Sequence, residues 1–366
     1  MNDEYYMSMA IELAKKGTGF TNPNPIVGAV IIKDNEVIAS GYHEYYGGLH
    51  AERNAIENAK TSLIGAAIYV TLEPCAHHGK TPPCCDAIIE SGISKVVIGS
   101  YDPNILVAKK GINKLKANQI EVVEGVLKEE CNKLNEVFFH YITTKLPYVV
   151  MKYAMTRDGK IATKIGESRW ISNELSRDKV HLDRHKYSAI MVGLNTVLKD
   201  DPMLNCNVEG LSNPIRIICD TNLKIPLTSK IVQTAKNIKT IVATVSSDEK
   251  LIEQLKEYNV QILQVKSKNN LLDLEDLMIK LGQLEIDSIL LEGGAMLNYS
   301  MLEAGLVNKV QTYISAKIFG GVDAKSAITG EGVAKVSDAI KLSKPEVSLF
   351  DDDILLESEV LKCSQD

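Results

Sequence analysis

Short apolar runs alternate with stretches of helical periodicity along almost the whole chain, and this alternation most narrows what it can fold into. The runs at residues 26–33, 36–40, 67–72 and 95–99 have the length of buried strands. Residues 4–16, 50–60 and 83–90 instead repeat apolar positions at helical spacing or carry helix-start signals. Asp34-Asn35 joins the first two runs as a hairpin turn. Leu127, Cys131, Leu134, Phe138 and Tyr141 recur every three or four residues and predict one helix over residues 127–141. Thr143-Thr144-Lys145-Leu146-Pro147 then breaks the pattern, because Pro147 disfavours helix at Leu146.

The boundary is therefore placed there, giving domains 1–146 and 147–366. The second part repeats the alternation with runs at 148–153, 189–194, 215–219, 241–245, 260–265, 288–291 and 310–314. Residues 247–258 and 271–281 read as helices. Residues 346–350 and 354–361 read as two strands around Asp351-Asp352-Asp353, a turn of solvated negative charge. Two fused α/β domains follow, the first with a mostly parallel sheet covered on both faces.

The length of 366 residues agrees with two domains. Both parts carry a net −3 (14 basic against 17 acidic residues, then 27 against 30), so neither suggests a nucleic-acid partner. The apolar runs fall far short of the roughly 18 residues a membrane span needs. The first 16 residues lack the basic and apolar segments of a secretory signal, so the expected location is cytoplasmic. Seven cysteines, an odd count, are then thiols or metal ligands rather than a disulfide framework. Cys131, Cys206, Cys219 and Cys363 stand alone and read as packing residues.

The other three cysteines need a chemical reason. His50-Ala51-Glu52 is followed by Pro74-Cys75-Ala76-His77-His78-Gly79-Lys80-Thr81-Pro82-Pro83-Cys84-Cys85. His50, Cys75 and Cys84 offer one imidazole and two thiolates, the three protein ligands of a catalytic zinc that keeps one position open. Glu52, two residues from His50, faces the same point only if His50 sits at a helix start with a non-helical backbone. It can then act as general acid and base. A closed structural zinc would take a fourth ligand from His77, His78 or Cys85, but leaves Glu52 without a use. His43, His140, His181 and His185 individually read as surface or internally satisfied histidines.

With these residues in view, the first domain resembles the cytidine-deaminase-like zinc deaminases, although eight residues separate its cysteines where the usual motif has two. That longer spacing, with Thr21-Asn22-Pro23-Asn24-Pro25-Ile26-Val27-Gly28 upstream, resembles the deaminase half of the bifunctional deaminase–reductases of riboflavin biosynthesis. The resemblance implies that a reductase half follows.

Taken alone, Ser288-Ile289-Leu290-Leu291-Glu292-Gly293-Gly294 followed by Ala295-Met296-Leu297 is a buried strand, a tight turn and a helix start, which can bring backbone N–H groups to a phosphate. It is not a Rossmann fingerprint. The only Trp, Trp170, sits in a polar loop where it could stack on a flat ring. Ala154, Thr196, Asp200, Thr221, Glu292 and Gly294 fall near strand ends, where α/β sheets gather ligands. These segments together resemble the reductase half of the same family, a dihydrofolate-reductase-like domain using NADPH.

The resemblance implies that Ala154, Trp170, Thr196, Asp200, Thr221 and the turn Gly294, Ala295, Met296, Leu297, Asn298 hold NADPH. It implies Ser168, Arg184, Leu204, Asn207 and Glu292 for the phosphoribosylaminopyrimidine substrate, with Arg184 on its phosphate as a bidentate donor. Asn207 stands where the family typically has Arg, and Arg216, Lys199 or a neighbouring subunit is expected to compensate. A homo-oligomer, dimer or tetramer, is a family implication. Two other readings remain: a zinc deaminase of another nucleobase or nucleoside with a fused nucleotide-binding domain, and a zinc-stabilised binding module.

Overall fold

A computed structural model describes residues 2–76, 82–104 and 108–361. They form two compact units, Met1–Lys145 and Leu146–Asp366. His77, His78 and Cys363 lie outside the described residues.

In the first unit α1 (Asp3–Lys15) precedes the hairpin β1 (Gly28–Lys33) and β2 (Glu36–Tyr42). Asp34 and Asn35 both take positive φ, 52° and 65°, the twist that suits a two-residue hairpin loop. There follow α2 (Ala51–Glu57), β3 (Ala67–Leu72), α3 (Cys84–Glu90), β4 (Lys95–Ser100), α4 (Lys110–Ala117), β5 (Glu121–Glu124), α5 (Lys128–Leu134) and α6 (Glu136–Thr144).

The sheet order is β2-β1-β3-β4-β5. β1 runs antiparallel to both neighbours while β3–β4 and β4–β5 are parallel, so the sheet is mixed rather than mostly parallel. Alternation along β1 separates two cores: Ala29 and Ile31 pack with Ile88 and Leu115, whereas Val30 and Ile32 pack with Met7 and Cys131. α1 lies so close to β1 that a Cβ at Gly28 would stand 2.0 Å from the Ala10 carbonyl oxygen.

Two features were not legible locally. α4 and β5 fill a stretch where no element was expected. The helix expected over 127–141 is broken at Asn135, whose side-chain amide accepts from the Ile26 N–H and donates to the Ile26 carbonyl, both at 3.0 Å. A hydrogen-bond pair across 109 residues outweighs one helical turn.

The second unit contains β6 (Tyr148–Thr156), α7 (Glu174–Lys186), β7 (Ala189–Gly193), α8 (Leu194–Asp200), β8 (Ile215–Cys219), α9 (Lys230–Gln233), β9 (Thr240–Thr244), α10 (Glu249–Glu257) and β10 (Val260–Gln264). A small hairpin of β11 (Ser267–Lys268) and β12 (Leu271–Leu272) leads to α11 (Leu274–Gln283), β13 (Ser288–Leu291), α12 (Ala295–Glu303), β14 (Lys309–Ser315), β15 (Glu346–Phe350) and β16 (Asp353–Glu359).

The large sheet has the order β10-β9-β8-β7-β13-β6-β14-β16-β15. It is parallel from β10 to β14, so the C-terminal ends of β6, β7, β8 and β13 meet at one edge. Both faces are covered: Met191, Ile217 and Ile289 point into one core, Ile190, Ile218 and Val242 into the other. Each such fully buried side chain stabilises the fold by about 1.5–3 kcal/mol.

The acidic turn is not uniformly solvated. Asp353 is buried and accepts from the Asn173 N–H and the Ser176 hydroxyl, both at 2.7 Å, tying β16 to the start of α7.

Candidate active sites

His50 is the residue before α2, with φ −67° and ψ 156°, an extended backbone that turns helical only at Ala51. That geometry lets His50 and Glu52 serve one point despite their spacing. Pro83 precedes α3 in the same way and starts the helix at Cys84. The ligand atoms of His50, Cys75 and Cys84 lie within 4.8 Å of one another. His50 Nδ1 is 3.3 Å from Cys84 Sγ and 3.7 Å from Cys75 Sγ, and the Cys84 backbone N–H donates to Cys75 Sγ at 3.3 Å.

The Cys84 thiol and His50 ring, both hydrogen-bonded to Cys75, hold that thiol down to about 4. The shared bond pushes Cys84 up. One imidazole and two converging sulfurs, one already thiolate-like, are a donor set that fits zinc. Cys85 points elsewhere: its thiol meets the carbonyls of Pro74 and Gly111, and burial pushes it up to about 12. The fourth-ligand reading through Cys85 is thereby overturned.

Glu52 is 4% exposed, and burial pushes its carboxyl up, with Cys75 acting in the same direction. It lines a cavity of about 350 Å³ together with His50, Cys75, Asn24, His43 and Glu73. Asn24 and Glu73 were not singled out from sequence as site residues, and His43 was read as a surface or internally satisfied histidine. His43 is held by the Leu49 carbonyl at Nδ1 (2.8 Å) and shares Nε2 with the Asn24 amide (3.3 Å). Glu73 accepts the backbone N–H groups of Lys109, Gly111 and Ile112 where α4 begins. Asn24 stood inside the Thr21–Gly28 motif, so a signal existed there; Glu73, next to Pro74-Cys75, carried none.

In the second unit the strand-turn-helix at Glu292–Leu297 is present. The Thr196 hydroxyl accepts from the Gly294 N–H at 3.2 Å, joining α8 to the turn. The N–H groups of Ala295, Met296 and Leu297 in the first turn of α12 have no protein acceptor among the described residues, which fits a cofactor phosphate. Asn298 has its donors engaged, while its buried Oδ1 has no partner among the described residues. Its N–H bonds the Gly294 carbonyl, and its buried amide donates to the Ala327 carbonyl. Trp170 is 65% exposed and stacks on the Arg177 guanidinium at 4.4 Å, leaving one ring face for a ligand. The Asp200 carbonyl holds Arg169 at 3.0 Å, Thr221 follows β8, Ala154 lies near the end of β6, and Ser168 is half-buried in its loop.

Arg184 and Glu292, both expected on the substrate, bind each other: Nε donates to Oε1 at 2.7 Å and Nη2 to Oε2 at 3.0 Å. Arg184 Nη1 donates to the Asn205 carbonyl at 3.1 Å. The bidentate edge expected on a phosphate is therefore taken by Glu292. Burial alone would raise the Glu292 carboxyl, but Arg184 and then Lys152 hold it down to about 2.

Lys152, unassigned from sequence although a lysine in an apolar run is a signal, has no hydrogen-bond partner among the described residues. Its ammonium lies 5.6 Å from the Tyr313 ring, and burial pushes it down. Leu204 has its side chain in the core with φ 51°, so only its backbone is available to a ligand. The Asn207 side chain accepts from the Asn205 amide at 2.9 Å. Arg216 cannot compensate for Asn207. It is fully buried, and its guanidinium is spent on Thr240, Thr234 and the carbonyls of Met203, Ile231 and Ile238.

Among known proteins, residues 147–356 match the family described as the RibD C-terminal domain, and residues 1–100 the cytidine and deoxycytidylate deaminase zinc-binding region. The riboflavin biosynthesis protein RibD of Actinobacillus pleuropneumoniae is 56% identical over 99% of this chain and 96% of its own length. That of Aquifex aeolicus is 43% identical over 97% of each. A crystal structure of a diaminohydroxyphosphoribosylaminopyrimidine deaminase/5-amino-6-(5-phosphoribosylamino)uracil reductase from Thermotoga maritima is similar with a TM-score of 0.88 at 43% identity, covering 98% of this chain and 99% of that one.

Proposed function

The chain belongs to the RibD family of riboflavin biosynthesis proteins, and from that premise we propose how its own residues divide the two reactions. It is a deaminase and a reductase in one chain, using zinc and NADPH. The substrate is 2,5-diamino-6-(5-phosphoribosylamino)pyrimidin-4(3H)-one. Deamination yields 5-amino-6-(5-phosphoribosylamino)uracil, whose ribosyl group is then reduced to ribityl. The observation carrying the first step is the convergence of His50, Cys75 and Cys84 beside buried Glu52 in one cavity.

Zinc on those three residues would supply Lewis-acid activation of water. Glu52 carries two protons in turn on a carboxylate oxygen, the first from the attacking water to the ring nitrogen and the second from the newly added hydroxyl to the departing amine. His43, pinned by Leu49, fixes the Asn24 amide so that its Oδ1 can accept from the pyrimidine.

In the second unit the first turn of α12 donates to the cofactor pyrophosphate, with Thr196, Ala154, Trp170, Asp200 and Thr221 along its length. NADPH supplies the hydride to ribosyl C1′. Lys152 and Arg184, with charge partly balanced by Glu292, hold the oxygen-rich ribosyl phosphate beside Ser168, Leu204 and Asn207. The location proposed is cytoplasmic, since Cys75 and Cys84 act as thiolates only where they stay reduced.

The test supplies the diaminopyrimidine phosphate to zinc-loaded protein with and without NADPH. Ammonia release, and NADPH consumption that depends on substrate, are expected together; absence of both sinks the reading.

A homo-oligomer belongs to the same proposal. The edge strand β15 exposes Val347 and Leu349, 59% and 72% accessible, on one side. Edge strands with apolar side chains are surfaces that pair. Light scattering of wild type is expected to give a dimer or tetramer and of Leu349→Lys a smaller species; a monomeric wild type at micromolar concentration overturns it.

A further inference from the structure

The pairing of Arg184 with Glu292 leaves a question of charge and donors at the substrate's anionic end. Arg184 spends three of its five N–H groups on Glu292 and Asn205. Asn207 brings no cation, and Arg216 is sealed away. One further donor stands beside this point. His181 lies on α7, three residues before Arg184 and so on the same helix face.

Both side chains meet the 205–207 segment. His181 Nδ1 lies 3.2 Å from the Asn205 carbonyl and 3.2 Å from the Asn207 N–H. The Asn205 carbonyl already accepts from Arg184, so the bond from the Asn207 N–H to Nδ1 is the one that uses an otherwise idle donor. A ring accepting at Nδ1 carries its proton on Nε2. That Nε2–H lies on the far side of the ring and has no partner among the described residues. Burial, then the neighbouring Arg184, holds the imidazole below its ordinary value, with the Asn205 carbonyl, Glu292 and Asp178 acting the other way.

We propose that His181 is a substrate-binding residue of the reductase site, its Nε2–H donating to the ribosyl phosphate beside the two remaining N–H groups of Arg184 and taking the place of a cation at position 207. The proposal rests on the reductase reading above and refines its phosphate contact. At position 207 it is the backbone N–H, which any residue but proline has, that orients the ring.

Two substitutions separate binding from loop positioning. Asn places a polar atom near Nδ1 but nothing near Nε2; Gln reaches the Nε2 position but leaves the Asn207 N–H without its acceptor. With 5-amino-6-(5-phosphoribosylamino)uracil, His181→Asn is expected to raise KM about tenfold with kcat little changed, as for loss of a hydrogen bond to a charged group. His181→Gln should stay nearer wild type. The dephosphorylated riboside should show no difference among the three proteins, and NADPH affinity should be unaltered. If His181→Gln is the more impaired, or if the riboside suffers equally, His181 only pins the loop and the assignment is overturned. If wild type reduces neither compound, the reductase reading itself fails and takes the assignment with it.

Discussion

Glu52→Gln is expected to keep zinc at full occupancy and to lose ammonia release by a factor of about 10²–10⁴, the usual contribution of a positioned proton carrier. Glu52 is outside the three-residue donor set, and Gln has the same shape, so neither metal binding nor packing is disturbed. What goes is the acid–base function in a buried pocket where bulk water cannot replace it. Cys75→Ser should behave oppositely. It removes the group that Cys84 and His50 both meet, so zinc content should fall along with activity. In both variants NADPH oxidation with the already deaminated substrate should continue. Zinc by atomic absorption and ammonia release on the same samples decide the matter. A Glu52→Gln protein deaminating at near wild-type rate would remove Glu52 from the mechanism, and full zinc in Cys75→Ser would remove that ligand.

Glu292→Gln should have the largest effect on stability. It leaves the buried Arg184 and Lys152 charges without their common partner, and breaking a buried pair this way costs about 3–5 kcal/mol. For a unit of this size that corresponds to a fall in Tm of roughly 10 °C, with loss of reductase activity while deamination persists.

The pH dependence has a definite sign. The folded carboxyl sits at about 2, below its ordinary 4.5, so its contribution, about 3 kcal/mol by linkage, is complete above pH 4.5. It is lost as pH falls through the folded value near 2. The stability gap between wild type and Glu292→Gln should therefore narrow from pH 4.5 downward. Denaturant unfolding between pH 7 and 3 measures it, and a gap of constant size over that range would show that Glu292 is not held charged.

The cluster of His50, Glu52, Cys75 and Cys84 was legible because its residue types and spacing are read from two short stretches of chain. Most strands were legible for the same reason: the apolar runs at 67–72, 215–219 and 288–291 coincide with β3, β8 and β13. Asn135 was not legible, since nothing near it announces that its amide will meet Ile26. Arg216 was expected to make up for the missing cation at position 207; five internal acceptors, from Met203 and from residues 231–240, take its guanidinium instead.

The sequence by itself determined the two α/β units, the candidate metal-ligand cluster and the family, because periodicity and motif spacing survive without knowledge of the fold. Only the tertiary structure decided which expected substrate residues spend their charge on each other. Arg184 and Glu292 are 108 residues apart, and their bond depends on α7 packing beside the end of β13. The same packing sets Lys152 near Glu292 without a hydrogen bond among the described residues and turns His181 toward Asn207. Electrostatic partnership acts over a few ångströms in space, and no local pattern in a chain encodes which distant residues the sheet order brings within that range.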